Sequence, residues 1–176
     1  MATPLSERGA AVRLLAMDVD GVLTDGSLYF AASGDELKAF SILDGQGLRL
    51  LQKQGIITAF ITGRSSPLTE NRARNLDIDY LIQGRTDKLT ALRELAERTS
   101  VPVEAMAYVG DDLPDLAAIE TAGVGISVPN GCTAVRASAD WCTTTPGGLG
   151  AIREVSEWLL ECRGALAQLI DGYRSP

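Results

Sequence analysis

Six short apolar runs rich in β-formers recur along the chain, at residues 13–18, 57–62, 80–82, 106–109, 124–127 and 141–143. Helical patterns fill the gaps at 46–54, 67–75, 88–99, 114–121 and 133–137. Alternation of this kind leaves few ways to bury the apolar faces. The strands must lie parallel, with the connecting helices wrapped over both sides of the sheet. Leu89, Leu92, Leu95 and Ala96 share a helical face, and Pro67 and Pro114 stand where a first helical turn accepts proline. Beyond Gly148 a longer helical segment sets Leu149, Ile152, Val155, Leu159 and Leu160 on one side. The expected fold class is therefore α/β, a Rossmann-like doubly wound parallel sheet, in one domain over residues 1–176. The alternation breaks once: GSLYFAASGDELKAFS, residues 26–41, reads as a β-hairpin inserted after the first strand. Residues 1–11 read as a flexible N-terminal arm and 164–176 as a C-terminal tail. The stretches 26–56 and 65–87 are too short to hold a cap domain.

Composition excludes several kinds of chemistry. The chain contains no histidine, which removes Ser-His-Asp and Cys-His catalysis, His-ligated zinc and phosphohistidine transfer. Cys132, Cys142 and Cys162 are odd in number and never paired as Cys-x-x-Cys, so reduced thiols are expected. A net charge of −7 argues against nucleic acid as a partner. No apolar run approaches the ~18 residues of a membrane span, so no membrane partner is expected. MATPLSERGAAV lacks a signal-peptide core, and a cytoplasmic location is expected.

The remaining question lies in LLAMDVDGVLTDG, residues 14–26, where a core strand ends on Asp18, Asp20 and then Asp25. Two carboxylates about 4 Å apart repel by roughly 4 kcal/mol at an effective dielectric of ~20. In open α/β sheets, ligands bind where loops leave the carboxyl ends of the strands. Those loops carry, in order, Asp18-Val-Asp20-Gly21, Thr62-Gly63-Arg64, Lys88, and Gly110-Asp111-Asp112 with Asp115. The set is coherent if a cation sits among the carboxylates, and hard oxygen ligands without His or paired Cys point to Mg²⁺. Mg²⁺ keeps positions for substrate oxygens, so a small phosphorylated substrate is expected. Its phosphate would take donors from the Thr62 hydroxyl, the Gly63 N–H and the Lys88 ammonium. Asp18 can then act as nucleophile, and Asp20 as the acid and base of the two half-reactions. Arg64, Lys38 and Arg72 are candidate anion contacts, and Asp25 and Asp44 either meet sugar hydroxyls or cap turns.

DVDGVLTDG, ITGR, the lysine of GRTDKL and GDDLPD resemble the four motifs of the haloacid dehalogenase superfamily of phosphotransferases, in the family's order. The resemblance implies Asp18 as nucleophile, Asp20 as acid and base, and Thr62 and Lys88 on the transferring phosphoryl group. It implies Mg²⁺ held by the Asp18 side chain, the Asp20 carbonyl and Asp111, with Asp112 and Asp115 in the outer shell. DELKAF, DGQGLRLL, ITGRSS, IQGRTDKL, AYVGDDLPDL and GGLGAIREV narrow the resemblance to the capless 3-deoxy-manno-octulosonate 8-phosphate phosphatases. That subfamily implies a homotetramer in which a neighbour's hairpin and tail help close each site. Leu28, Phe30, Leu37 and Phe40 of the hairpin are then expected to pack on other subunits. Leu43 and Leu149 depart from the subfamily, which is expected to carry basic residues there.

Other readings divide on the same residues. Receiver domains gather similar groups, but their acidic pair comes first in the chain and their phosphoacceptor later. A phosphomutase needs a closing cap to exclude water. A phosphoprotein phosphatase, or a non-catalytic regulatory domain like that of some acylneuraminate cytidylyltransferases, remains as an alternative at this point.

Overall fold

The computed structural model describes residues 3–174. Six strands form one sheet in the order β5-β4-β1-β6-β7-β8, and every neighbouring pair is parallel. These are β1 (Leu14–Met17), β4 (Ile57–Ile61), β5 (Tyr80–Ile82), β6 (Met106–Gly110), β7 (Val124–Ser127) and β8 (Trp141–Cys142). Between them run α2 (Ile42–Lys53), α3 (Pro67–Asn75), α4 (Lys88–Thr99), α5 (Leu116–Thr121) and α6 (Thr133–Ser138). The chain closes with α7 (Ala151–Cys162) and α8 (Leu166–Arg174). The α/β expectation holds, and among the described residues no cap domain covers the sheet.

Strand β1 sits at the centre and is buried on both faces. Its side chains alternate, as a pleated strand requires. Leu15 and Met17 join Leu48, Leu51, Ile152, Val155 and Leu159 of α2 and α7 on one face. Leu14 and Ala16 join Ala91, Leu92 and Leu95 of α4 and Ile119 of α5 on the other. Helices α3 and α4 start where the sequence places them because their caps are local. Ser66 Oγ accepts from Leu68 N–H ahead of Pro67, and Asp87 Oδ1 accepts from Thr90 N–H at 3.1 Å.

Three expectations need correction. Residues 1–11, read as a flexible arm, contain helix α1 (Leu5–Ala10). Arg8 ties it down with a forked pair to Asp140, at 2.8 and 2.6 Å, and a bond to Gly123 O. The 114–121 helix divides into a 3₁₀ turn at Leu113–Asp115 followed by α5. The hairpin expected at 26–41 forms, from two short antiparallel strands, β2 (Tyr29–Phe30) and β3 (Glu36–Leu37), but one of its side chains goes elsewhere. Leu28, Phe30 and Leu37 are exposed, but Phe40 is half-buried against its own core and lies under the Arg72 guanidinium. Among the described residues, no helix is long and apolar enough to cross a membrane.

Candidate active site

The carboxyl ends of β1, β4 and β6 lie side by side in the sheet, so the residues after Met17, Ile61 and Gly110 converge without long loops. They line a cleft of about 290 Å³ with Asp18, Asp20, Thr62, Gly63, Arg64, Lys88, Asp111, Asp112 and Asp115 on its walls. Lys88 reaches it from the first turn of α4. Its side chain is 2% exposed, and its ammonium donates to Asp18 Oδ1 and to Ile61 O, each at 2.7 Å, with Asp115 Oδ1 at 3.4 Å. A second groove of about 330 Å³ lies between α2, α7 and α8; its lining includes Leu50, Leu169 and Ile170 and no carboxylate.

One carboxylate oxygen from each of Asp18, Asp111 and Asp115 lies within 4.8 Å of the others. Crowding has an electrostatic signature. Burial, then the Asp115 charge, outweigh Lys88 and hold the Asp18 carboxyl up at about 6. Burial and the charges of Asp18, Asp115 and Asp112 push Asp111 up to about 7. Asp111 Oδ1 is also buried with no hydrogen-bond partner. Ionised carboxylates in this state lack a counter-charge that Lys88 alone does not supply, and a hard divalent cation fits the donor set. Asp115 differs from its neighbours because it is saturated. It accepts from Tyr108 O–H at 2.7 Å and from the N–H groups of Asp111 and Asp112 at 3.1 and 3.2 Å.

The turn after Asp20 depends on glycine. Gly21 has φ +97°, and a Cβ there would fall 2.1 Å from Asp111 Oδ2. The backbone therefore brings the first and last acidic segments into direct contact. Asn130 clamps this turn from the far side. Its Nδ2 donates to Gly21 O at 2.8 Å, and its Oδ1 accepts from Gly147 N–H at 2.7 Å. Thr62 Oγ1 accepts from Arg64 N–H at 3.2 Å, which leaves the hydroxyl proton free to donate.

Several candidates lie elsewhere. Of the two readings of Asp44, substrate contact or cap, the structure favours the second: it is buried and accepts from Arg153 N–H at 2.8 Å, so it caps α7. Asp25 accepts from Ser27 N–H and Tyr29 O–H within its own turn. Arg72 donates to Ser41 O at 2.8 Å and packs on Phe40, away from the cleft. Arg64 stays at the rim, paired with Glu36 at 2.9 Å. Lys38 meets Asp20 rather than a free anion position. Tyr108 and Asn130 escaped the sequence reading. A lone hydroxyl in the apolar run MAYVG, and an Asn-Gly after β7, are the signals that could have found them.

A parallel sheet that ends in this acidic cluster and a buried lysine defines a class of metal-assisted hydrolases acting on phosphate. Comparison with known proteins agrees. Residues 81–152 match the haloacid dehalogenase-like hydrolase family. The 3-deoxy-D-manno-octulosonate 8-phosphate phosphatase KdsC of Salmonella typhi is 41% identical over 143 residues, which is 81% of this chain and 76% of the relative. A Moraxella catarrhalis 3-deoxy-D-manno-octulosonate 8-phosphate phosphatase, solved with magnesium, phosphate and KDO, superposes with a TM-score of 0.94. The two are 47% identical, over 96% of this chain and 97% of that one. A probable YrbI-family phosphatase of Pseudomonas syringae gives a TM-score of 0.95 at 45% identity, over 98% of each chain. The chain belongs to the haloacid dehalogenase-like hydrolases, in the branch that holds these octulosonate phosphatases, and it is a phosphoric monoester hydrolase.

Proposed function

We propose that this enzyme is a Mg²⁺-dependent phosphatase of a sugar-acid phosphate and works through an aspartyl-phosphate on Asp18. The observation that carries the reading is the Lys88 ammonium, 2.7 Å from Asp18 Oδ1, with Asp111 in the same carboxylate cluster. Asp18, the Asp20 carbonyl and Asp111 would hold the ion. Asp115, with its oxygens already engaged, would orient the Asp111 and Asp112 backbone from the outer shell, where Asp112 would also lie. When bound, Mg²⁺ neutralises the carboxylates and the substrate phosphate together.

In the first half-reaction an Asp18 oxygen attacks phosphorus and the bond to the sugar oxygen breaks. Asp20 gives that oxygen its proton. In the second, water attacks the phosphorus of the aspartyl-phosphate and Asp20 takes the water proton, releasing phosphate and restoring Asp18. Lys88, Thr62 and Gly63 hold the phosphoryl oxygens by charge and hydrogen bonds. Leu43 and Leu149 are 54% and 66% exposed and do not line the cleft, which leaves Arg64 as the rim cation for a sugar carboxylate. We also place the enzyme in a homotetramer, which the exposed hairpin residues support, and in the cytoplasm, which suits three free thiols. Neither the site nor the relatives named above favour a phosphoprotein or a purely regulatory role.

Phosphate release from a panel of sugar-acid and neutral sugar phosphates tests the reading. Acid substrates should be preferred, turnover should stop in EDTA, and Asp18→Asn should retain less than about a thousandth of wild-type activity, since an amide forms no acyl-phosphate. Full turnover without a divalent ion would remove the metal, and an active Asp18→Asn would remove the nucleophile.

A further inference from the structure

Lys38 has no part in the chemistry above, yet its side chain is only 3% exposed. It lies just past β3, on the returning arm of the hairpin. Its ammonium donates to Asp20 Oδ1, with Glu36 Oε1 3.6 Å away. Glu36, two residues earlier, reaches Arg64 NH2 through Oε2 at 2.9 Å. Leu37 between them is 58% exposed. Residues two apart on extended chain share a face, so the arm turns its charged face to the catalytic floor and its apolar face outward. A buried ammonium is unfavourable unless paired, so this contact fixes the arm and the carboxylate together.

The result is an asymmetric Asp20. Oδ1 is tied to Lys38, while Oδ2 is buried with no hydrogen-bond partner. Rotation of the carboxyl would break a charge-assisted bond. The geometry points to Lys38 as the positioning residue for Asp20: by holding Oδ1 it leaves Oδ2 as the oxygen that exchanges the proton. This rests on the acid–base reading of Asp20 given above. Lys38 transfers no proton. The proton leaves Oδ2 for the sugar oxygen as the bond to phosphorus breaks, and returns to Oδ2 from the attacking water.

A tether without a catalytic role would slow all substrates alike. A residue that aligns the acid must matter most where the leaving oxygen needs a proton. Glycerol 2-phosphate has a basic alkoxide leaving group that needs a proton, whereas p-nitrophenyl phosphate releases a stable phenolate, so the ratio of their kcat/KM values reads leaving-group protonation. With Mg²⁺ saturating, Lys38→Met should lower kcat/KM on glycerol 2-phosphate by roughly ten- to a hundredfold, and on the aryl ester by no more than about threefold. Lys38→Arg keeps the charge but shifts the donor, and should give an intermediate ratio. Asp20→Asn should show the same bias, more strongly. Equal losses on both esters in a folded Lys38→Met, while Asp20→Asn remains biased, would overturn the role of Lys38 alone. An unbiased Asp20→Asn would overturn the acid–base reading and this inference with it. If Lys38→Met does not fold, Lys38→Arg decides: a ratio lowered several-fold supports the inference, and a wild-type ratio overturns it.

Discussion

Asp44 joins the first turns of α2 and α7 by accepting from Arg153 N–H through Oδ1, while Oδ2 is buried without a partner. Burial pushes its carboxyl up to about 6, against the lowering pull of the α7 backbone N–H groups and Arg72. The folded protein thus keeps a proton that the unfolded chain, at its ordinary 3.8, has released. Stability from this group is complete below the unfolded value and is lost as pH rises through the folded one. At about 1.4 kcal/mol per pKa unit, the ionised carboxylate costs up to about 3 kcal/mol at neutral pH. Asn can still accept from Arg153 N–H but does not ionise. Denaturant unfolding of Asp44→Asn should therefore gain about 2 kcal/mol on wild type between pH 4 and pH 7. A difference between the two proteins that does not move with pH would show that Asp44 ionises in the fold without penalty.

The elements that sequence reading placed to the residue are those with local signals. Ser66-Pro67 starts α3, Asp87 starts α4, and the apolar run at Val124–Ser127 is closed by proline and glycine. Helix α2 begins at Ile42, earlier than 46, because Ser41 Oγ caps Leu43 and Asp44, while Gly45 and Gly47 weaken the helical pattern that follows. Helix α1 was hidden because Arg8 finds Asp140 far along the chain, and no local pattern reports such a pair. The same division holds in the site. Asp18, Thr62, Lys88 and Asp111 stand at strand or helix ends and were legible there. Asn130 was not, because its role exists only through the two backbone segments it joins. That junction can be tested at Gly147, where a Cβ would lie 1.9 Å from Gly21 O and 3.1 Å from Val22 Cα. Both are main-chain atoms, so the turn that carries Asp20 must move. Gly147→Ala should lower kcat by about tenfold or more, with a stability loss of roughly 1–3 kcal/mol by thermal or denaturant unfolding. Unchanged kinetics would mean that the turn relaxes without shifting Asp20.

At the scale of the whole molecule, the unpartnered surface is the hairpin. Leu28, Tyr29, Phe30 and Leu37 are 49%, 46%, 64% and 58% exposed, and a two-stranded ribbon gives them nothing to pack on. Phe40 is a poor probe of assembly because it belongs to the subunit's own core, so Phe30 is the better target. On the proposed homotetramer, Phe30→Asp should reduce the mass found by light scattering from four chains to one. It should keep p-nitrophenyl phosphate turnover within a few-fold while weakening turnover of a sugar-acid phosphate, if a neighbour's hairpin closes the site as proposed. A monomeric wild type with full activity would refute the shared site. The bond from Gly148 N–H to Val22 O and the bridge through Asn130 make the catalytic turn one piece with the β7–β8 side of the sheet. On the hairpin side the ties to the site are side-chain pairs, Lys38 on Asp20 and Glu36 on Arg64. The cleft is therefore fastened by main-chain hydrogen bonds on one side and by charge on the other, so only the hairpin side should loosen as ionic strength rises.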